Sequence, residues 1–439
     1  SPEQLLPGVT TVGDALHAAS GGRGRVFSLS IKDRTAVLMG GRNPTGVYCF
    51  DTRDGRFHTG EFYREQPHPW VEQFNKSGRV DKWFGMNWER LKPETDYNRF
   101  AGPDAAAGEA PGRKQGLSFP HPTTGGKVAV GPEYYEAVET SPLGNELLFE
   151  LAKTAVTSER LGTNGTSDLL CVSFSSNDLI GHYWGPDSHE VMDITLRSDR
   201  LVGEFLKFLD ETVGPNQYVV VITADHGVCP IPEQKHLPTA ARVKTTEAIS
   251  SLAAALDEKF GPGPTGPTRW LEATDFADRI WPWIFLSRKA IATRGLNPTF
   301  DEACEFTAEW LGNRPYMLCA FTRKQIEANA PPLAPGREVE VRAVFERVKL
   351  AYHPDRCGDV IAVVKPGVLV TPYPAGTSHG TPHDYDTHVP VLVYGAGVPA
   401  MGKRSERVSS LIVAPTVAWG LGIHPPTGAV ERVPDELNK

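Results

Sequence analysis

Leu169-Leu170-Cys171-Val172-Ser173-Phe174 runs into Ser175-Ser176-Asn177-Asp178-Leu179-Ile180-Gly181-His182, then a periodic stretch from Ser188 to Val213, then Tyr218-Val219-Val220-Val221-Ile222. This run decides the fold class. Its first and last pieces are short, continuous apolar segments, the mark of strands buried on both faces. Between them, Val191, Ile194, Leu201, Val202, Phe205, Phe208 and Leu209 fall on a single helical face. Asp187 and Ser188 are natural N-caps, and Gly214-Pro215 ends the helix. Strand, helix and strand in this order read as a βαβ unit in a parallel sheet, so the predicted class is α/β.

Working outward, Val12 to Ala19 is helical in pattern and Arg25 to Ile31 alternates like a strand, so residues 1–36 read as core. Residues 37–130 read as a loop-rich insertion. Within it, Gly46 to Phe50 and Phe57 to Phe62 flank Asp54-Gly55 as a hairpin, and Ala101 to Gly126 is a Gly/Ala/Pro-rich surface excursion. Residues 131–240 are core again. Residues 241–354 form a second, mainly helical excursion broken at Gly261-Pro262-Gly263-Pro264. Residues 355–439 return to the core, with strands at Val360 to Val364 and Val389 to Tyr394 and a closing helix at Ser410 to Leu421. The reading is one doubly wound core interrupted twice.

Composition narrows the function classes. The 439 residues carry 45 Lys and Arg against 53 Asp and Glu, a net charge of −8, which argues against a general nucleic-acid binder. A hydrophobic content of 40% excludes wholesale disorder, and 43 Gly with 37 Pro point to many ordered loops. No apolar run approaches the roughly 18 residues of a membrane span. The six cysteines form no Cys-x-x-Cys pair and read as free thiols, although spacing alone leaves one or two bridges open. The first residue is Ser1 rather than Met, so the chain reads as processed, trimmed or incomplete.

Three constellations carry chemistry, two directly after apolar strands and one just before a strand, where ligands bind in open parallel sheets. Asp178 and His182 are four apart, so one helical turn puts both on one side, and their donors suit zinc. Asp225-His226-Gly227 follows a strand, and Gly227 permits the sharp turn two adjacent ligands need. Thr377-Ser378-His379-Gly380 offers a third imidazole, followed by His383, Asp386 and His388; the two further histidines read as supporting or structural rather than ligating. Each motif alone is an ordinary helix pair or turn, and the conjunction is what signifies. Asp178, His182 and His379 make one three-ligand set, and Asp225 with His226 begins a second. Two ions about 4 Å apart suit phosphoryl transfer. If Ile31-Lys32-Asp33-Arg34 stays extended, Lys32 and Arg34 share a face and can hold phosphate oxygens; a solvated strand end is the simpler local reading. Trp70, Trp83, Trp88 and Trp184 read as packing residues, with stacking on a substrate base left open.

Asn177 to Pro186, Thr223-Ala224-Asp225-His226-Gly227 and Ser378-His379-Gly380-Thr381-Pro382 together resemble the alkaline phosphatase superfamily, on its type I phosphodiesterase/nucleotide pyrophosphatase branch. Ser1 to Leu6 and Ile31 to Arg34 look like the phosphate-irrepressible bacterial alkaline phosphatases. The resemblance implies an α/β/α sandwich with a mostly parallel sheet. It implies two zinc ions, one on Asp178, His182 and His379 and one on Asp225 and His226, with Lys32 and Arg34 on the phosphoryl group. It further implies hydrolysis of small-molecule phosphate monoesters through a phosphothreonine, and a periplasmic or secreted location. The family's nucleophilic Thr, an Asp ligand and a phosphate-binding Asn have no match here. The expectation is therefore a chain that starts past them, lacks the first core strand and is inactive alone. A phosphodiesterase or nucleotide pyrophosphatase on the same scaffold, and an inactive metal-binding domain, are the alternatives. A sulfatase is disfavoured, because Cys229-Pro230-Ile231-Pro232 does not match Cys-x-Pro-x-Arg.

Overall fold

The computed structural model describes residues 5–262, 270–272, 281–293, 297–332 and 335–438. Ser1 to Leu6 and the Gly261 to Pro264 break fall partly outside them. The chain divides into two compact units: residues 1–106, 110–225 and 389–439 form the first, and residues 107–109 and 226–388 the second.

In the first unit, α1 (Val12–Ser20) starts at Thr11, whose hydroxyl and Asp14 exchange capping bonds. It leads to β1 (Val26–Ser30), every residue of which is buried. The reason is its central position: β1 pairs in parallel with both β2 (Gly46–Asp51) and β4 (Leu169–Ser173). Helix α2 (Asp33–Gly40) follows β1, and β3 (Arg56–His58) closes the predicted hairpin on β2, antiparallel. Helix α3 (Pro142–Glu159) is capped by Ser141, whose hydroxyl accepts from the Leu143 amide, and carries Pro142 in its first turn. Its Leu147, Leu148 and Leu151 join Phe27, Leu29, Tyr48 and Phe57 in the main core. Helix α4 (Ser175–Trp184) leaves β4 directly. The predicted long helix is α5 (His189–Thr212), capped by Ser188 as expected.

The βαβ expectation needs one correction. Strand β5 (Val219–Thr223) does not join the β4 sheet; it pairs antiparallel with β6 (Val391–Gly395), and α6 (Val413–Leu421) packs on it. Local pattern specifies strand, helix and strand, but the ladder partner of β5 arrives from far downstream. The fold is thus α/β, as the class predicted, but its sheets are mixed rather than mostly parallel.

The second unit alternates cleanly across one strand. Val360–Val364 lies between Met317–Thr322 and Trp283–Ile284, antiparallel to both. Val360, Ala362 and Val364 pack with Ala303, Ala308 and Leu311 of helix Phe300–Gly312. Ile361 and Val363 face Val341, Val344 and Phe345 of helix Glu338–Ala351 instead. The strand is buried on both faces, hence its unbroken apolar sequence. A separate parallel pair joins Ala241–Lys244 to Val368–Thr371. The excursion expected to be mainly helical therefore also supplies strands, short apolar runs that length alone does not separate from helix. All six cysteines are free thiols. No helix among the described residues is long and apolar enough to cross a membrane.

Candidate functional site

In the first unit the carboxyl ends of β1 and β4 lie side by side, with Ser30 opposite Ser173. Lys32 follows β1 and Asp178 sits in the first turn of α4, where the helix dipole favours a carboxylate. The Ser30 and Ser175 hydroxyls are 3.3 Å apart, and the Lys32 amide donates to Ser30 Oγ at 3.0 Å, which stitches one strand exit to the other. Lys32 Nζ forms an ion pair with Asp178 Oδ2. His182 Nε2 lies 3.3 Å from Asp178 Oδ1, the one-turn neighbour that the spacing predicts. Cation, carboxylate and imidazole thus meet in one unit.

The extended Lys32-Asp33-Arg34 segment is not what forms. Lys32 is extended, but it is the N-cap of α2, and Arg34 lies in that helix's first turn with an exposed side chain. The shared-face argument for Lys32 and Arg34 loses its premise, because the extended strand stops at Lys32 and period-two alternation does not continue to Arg34. Asp33 explains the turn: its Oδ1 accepts the Arg34 amide at 2.7 Å and places a negative charge in the first turn.

What fixes α4 is a polar and aromatic clamp that no local motif announces. Trp184, fully buried at its last turn, donates Nε1–H to the Gly116 carbonyl at 3.2 Å, and the Tyr183 carbonyl accepts from the Ala110 amide at 2.8 Å. Gly112, at φ +53°, leaves the Trp184 ring room that a Cβ only 2.5 Å away would take. His121 packs against Trp88, Phe119 and Trp184, and its Nε2 meets Glu190 Oε1 at 2.8 Å in a wholly buried pair. Asp193 gathers Trp88 Nε1–H at 2.8 Å, Tyr97 O–H at 2.8 Å and Arg197 Nε–H at 2.7 Å. Trp88 and Trp184 are therefore packing residues, and Trp70 donates to Glu159 at 2.7 Å. Backbone groups of Ala110 and Gly116 and the His121 ring, all from the Gly/Pro-rich excursion, hold the helix that carries Asp178 and His182.

Glu139 was not visible in the sequence. Burial pushes its carboxyl up to about 7, with Arg113 and Lys32 opposing and Glu136 adding to the shift. The unfolded chain ionises this group near ~4.3. The native state therefore holds more protons between these values, and stability falls as pH rises through that window, then levels off. Glu139→Gln removes the effect, so the variant gains on the parent between pH 5 and pH 8 in thermal melts. An equal offset at both pH values excludes this assignment.

In the second unit two loops are stitched together. The Gly227 amide donates to the Asp386 carbonyl at 2.7 Å, the Cys229 amide to the Ser378 carbonyl at 3.1 Å, and the Thr377 hydroxyl to the Cys229 carbonyl at 2.6 Å. The stitching lays the His226 and His379 rings against each other, centroids 3.4 Å apart and planes within 14°. His226 Nδ1–H donates to the Gly227 carbonyl at 2.8 Å, which leaves Nε2 as the acceptor nitrogen, the tautomer a metal requires. This donor chemistry fits a bound cation. Gly227 is required for space rather than for a left-handed backbone, because the Tyr385 carbonyl lies 2.1 Å from where a Cβ would sit. Asp225 is exposed after β5, His383 is buried with Nε2–H on the Val364 carbonyl at 2.8 Å, and His388 is exposed.

Comparison with known proteins agrees with this chemistry. Residues 44–388 match the protein-family model described as type I phosphodiesterase / nucleotide pyrophosphatase. Alkaline phosphatase PhoV of Synechococcus elongatus is 31% identical over 445 aligned positions, spanning 100% of this chain and 74% of its own. Alkaline phosphatase PafA of Elizabethkingia meningoseptica is 29% identical over 439 positions, 98% of this chain and 74% of its own. The crystal structure of wild-type PafA superimposes with a TM-score of 0.82 at 28% identity, covering 98% of this chain and 77% of that one. With the family model covering most of its length and the fold matching throughout, the chain belongs to the type I phosphodiesterase/nucleotide pyrophosphatase family.

Proposed function

We propose that the protein is a zinc-dependent alkaline phosphatase that hydrolyses small-molecule phosphate monoesters in the periplasm or outside the cell. The observation that carries the reading is the meeting of Lys32, Asp178 and His182 at two adjacent parallel strand ends. Alkaline phosphatase relatives spanning the whole chain support it. Asp178, His182, Asp225, His226 and His379 hold two zinc ions, divided as the motifs imply. Bound zinc supplies positive charge toward phosphoryl oxygens. Lys32 carries the nearest side-chain cation and is already turned toward Asp178, so an arriving phosphate exchanges one anionic partner for another. Arg34, on the first turn of the next helix, supplies a longer reach. In this reading a threonine hydroxyl attacks phosphorus and the ester oxygen leaves with its bonding pair. Water then cleaves the phosphothreonine to release phosphate and regenerate the hydroxyl.

The test uses the gene product with any residues encoded upstream of Ser1, assayed on 4-nitrophenyl phosphate and bis(4-nitrophenyl) phosphate. Lys32→Ala lowers kcat/KM for the monoester by about a hundredfold, as for loss of one charged transition-state contact, and leaves the diester much less affected. Equal losses on both substrates favour the second reading, a phosphodiesterase, which the family description supports.

A further inference from the structure

We infer that Asp386 is a positioning residue that holds His226 and His379 in place, each for its own metal ion; the inference rests on the reading of these histidines as ligands. Asp386 is 3% exposed. Its Oδ2 accepts two hydrogen bonds, from the Thr381 amide and from the Thr381 hydroxyl, both at 2.7 Å. Thr381 lies two residues past His379. The Asp386 backbone carbonyl accepts the Gly227 amide at 2.7 Å, and Gly227 lies one residue past His226. One residue therefore binds the flank of each histidine, the first through its side chain and the second through its main chain. Its own loop is braced in turn, because the Asp386 amide donates to the His383 carbonyl at 3.0 Å.

The second carboxylate oxygen sharpens the point. Asp386 Oδ1 is buried and makes no well-formed hydrogen bond among the described residues, although the Gly380 backbone amide also favours the charged carboxylate. A carboxylate kept in such a place is expensive unless positive charge answers it. A residue needed only to brace a turn would do as well with an amide, one of whose faces could then donate. His226 lies within electrostatic reach of Asp386. Because His226 Nδ1 already donates to the Gly227 carbonyl, Asp386 acts through the backbone that carries the two imidazoles, and such outer partners tune metal affinity.

The experiment measures zinc affinity of the metal-stripped protein by competition with a chromophoric chelator, alongside kcat and KM at limiting and saturating zinc. Asp386→Asn keeps the shape but offers the Thr381 amide and hydroxyl one acceptor instead of a carboxylate. It weakens zinc binding about 10- to 100-fold. Saturating zinc then restores kcat with KM unchanged, a recovery that general loosening of the fold does not give. Thr381→Ala removes one of the two bonds and weakens zinc binding in the same direction by a smaller factor, and it carries the test if the Asn variant does not fold. Zinc affinity within twofold of the parent in the folded variants overturns the proposal while leaving the histidine assignment intact. Parent-like zinc binding by both His226→Ala and His379→Ala overturns that assignment, and the proposal with it.

Discussion

Asp178→Asn lowers monoester hydrolysis about a thousandfold and removes about one equivalent of bound zinc. The substitution is nearly isosteric, so packing of α4 is unchanged, and what disappears is one negative charge. That charge has two partners in the first unit, the Lys32 ammonium and the His182 imidazole. Loss of a metal's stabilisation of developing charge costs several kcal/mol, and about 4 kcal/mol is a factor of a thousand. The fold suffers much less. The pair is partly solvated, with Lys32 and Asp178 side chains 27% and 17% exposed, so its own worth is modest. The check is kcat/KM on 4-nitrophenyl phosphate, zinc content by elemental analysis and a thermal melt on the same sample. Parent-like zinc content with undiminished turnover would falsify the assignment of Asp178. The double variant Lys32→Met/Asp178→Asn separates the two causes: if stability is what fails, removing the orphaned ammonium restores it; if metal is what fails, activity stays lost.

Gly227→Ala has the largest expected effect on structure. A Cβ there meets the Tyr385 carbonyl oxygen at 2.1 Å, and that obstacle is backbone, which cannot swing aside. The two loops must part, and the Gly227 amide then loses the Asp386 carbonyl. Overpacking plus a broken buried hydrogen bond amounts to about 3 kcal/mol. The expected result is a melting temperature lowered by several degrees and zinc binding lost in step, because the His226 and His379 rings no longer face each other. Gly60→Ala is the control, since nothing lies within 4 Å of its added carbon. Most exposed substitutions of this kind stay within about 0.5 kcal/mol. If Gly227→Ala melts like Gly60→Ala, the loop contact described above is not what holds the histidines.

How much of this was legible in the sequence depends on the range of each interaction. Asp178 and His182 were readable because a helix fixes the geometry of residues four apart, whatever surrounds it. The strand identity of Val26–Ser30 and the cap at Ser188 were readable for the same reason. Lys32 and Arg34 were placed on one face by a strand rule where the chain had already turned into a helix. The cue was present in Asp33, a good first-turn residue, but the apolar run before it outweighed it. The partner of β5 and the contact between the His226 and His379 rings were not readable. Each joins segments far apart in the chain, and a single sequence carries no signal for such pairing. Glu139 was hidden for another reason: its altered proton affinity comes from burial among neighbours, and burial of a charged residue is contrary to its usual pattern.

The cross-ties between the Gly227 and Ser378 loops also have a kinetic meaning. Gly227 and Asp386 are joined across almost the whole second unit. Closing a flexible loop of that length costs about 4–5 kcal/mol in chain entropy. Three hydrogen bonds do not recover so much before the strands between them have formed. The histidine pair is therefore a late product of folding, assembled when Val360–Val364 and Val368–Thr371 are already in place. Each of the two imidazoles is therefore already fixed by its loop when an ion arrives, and no ion has to gather them.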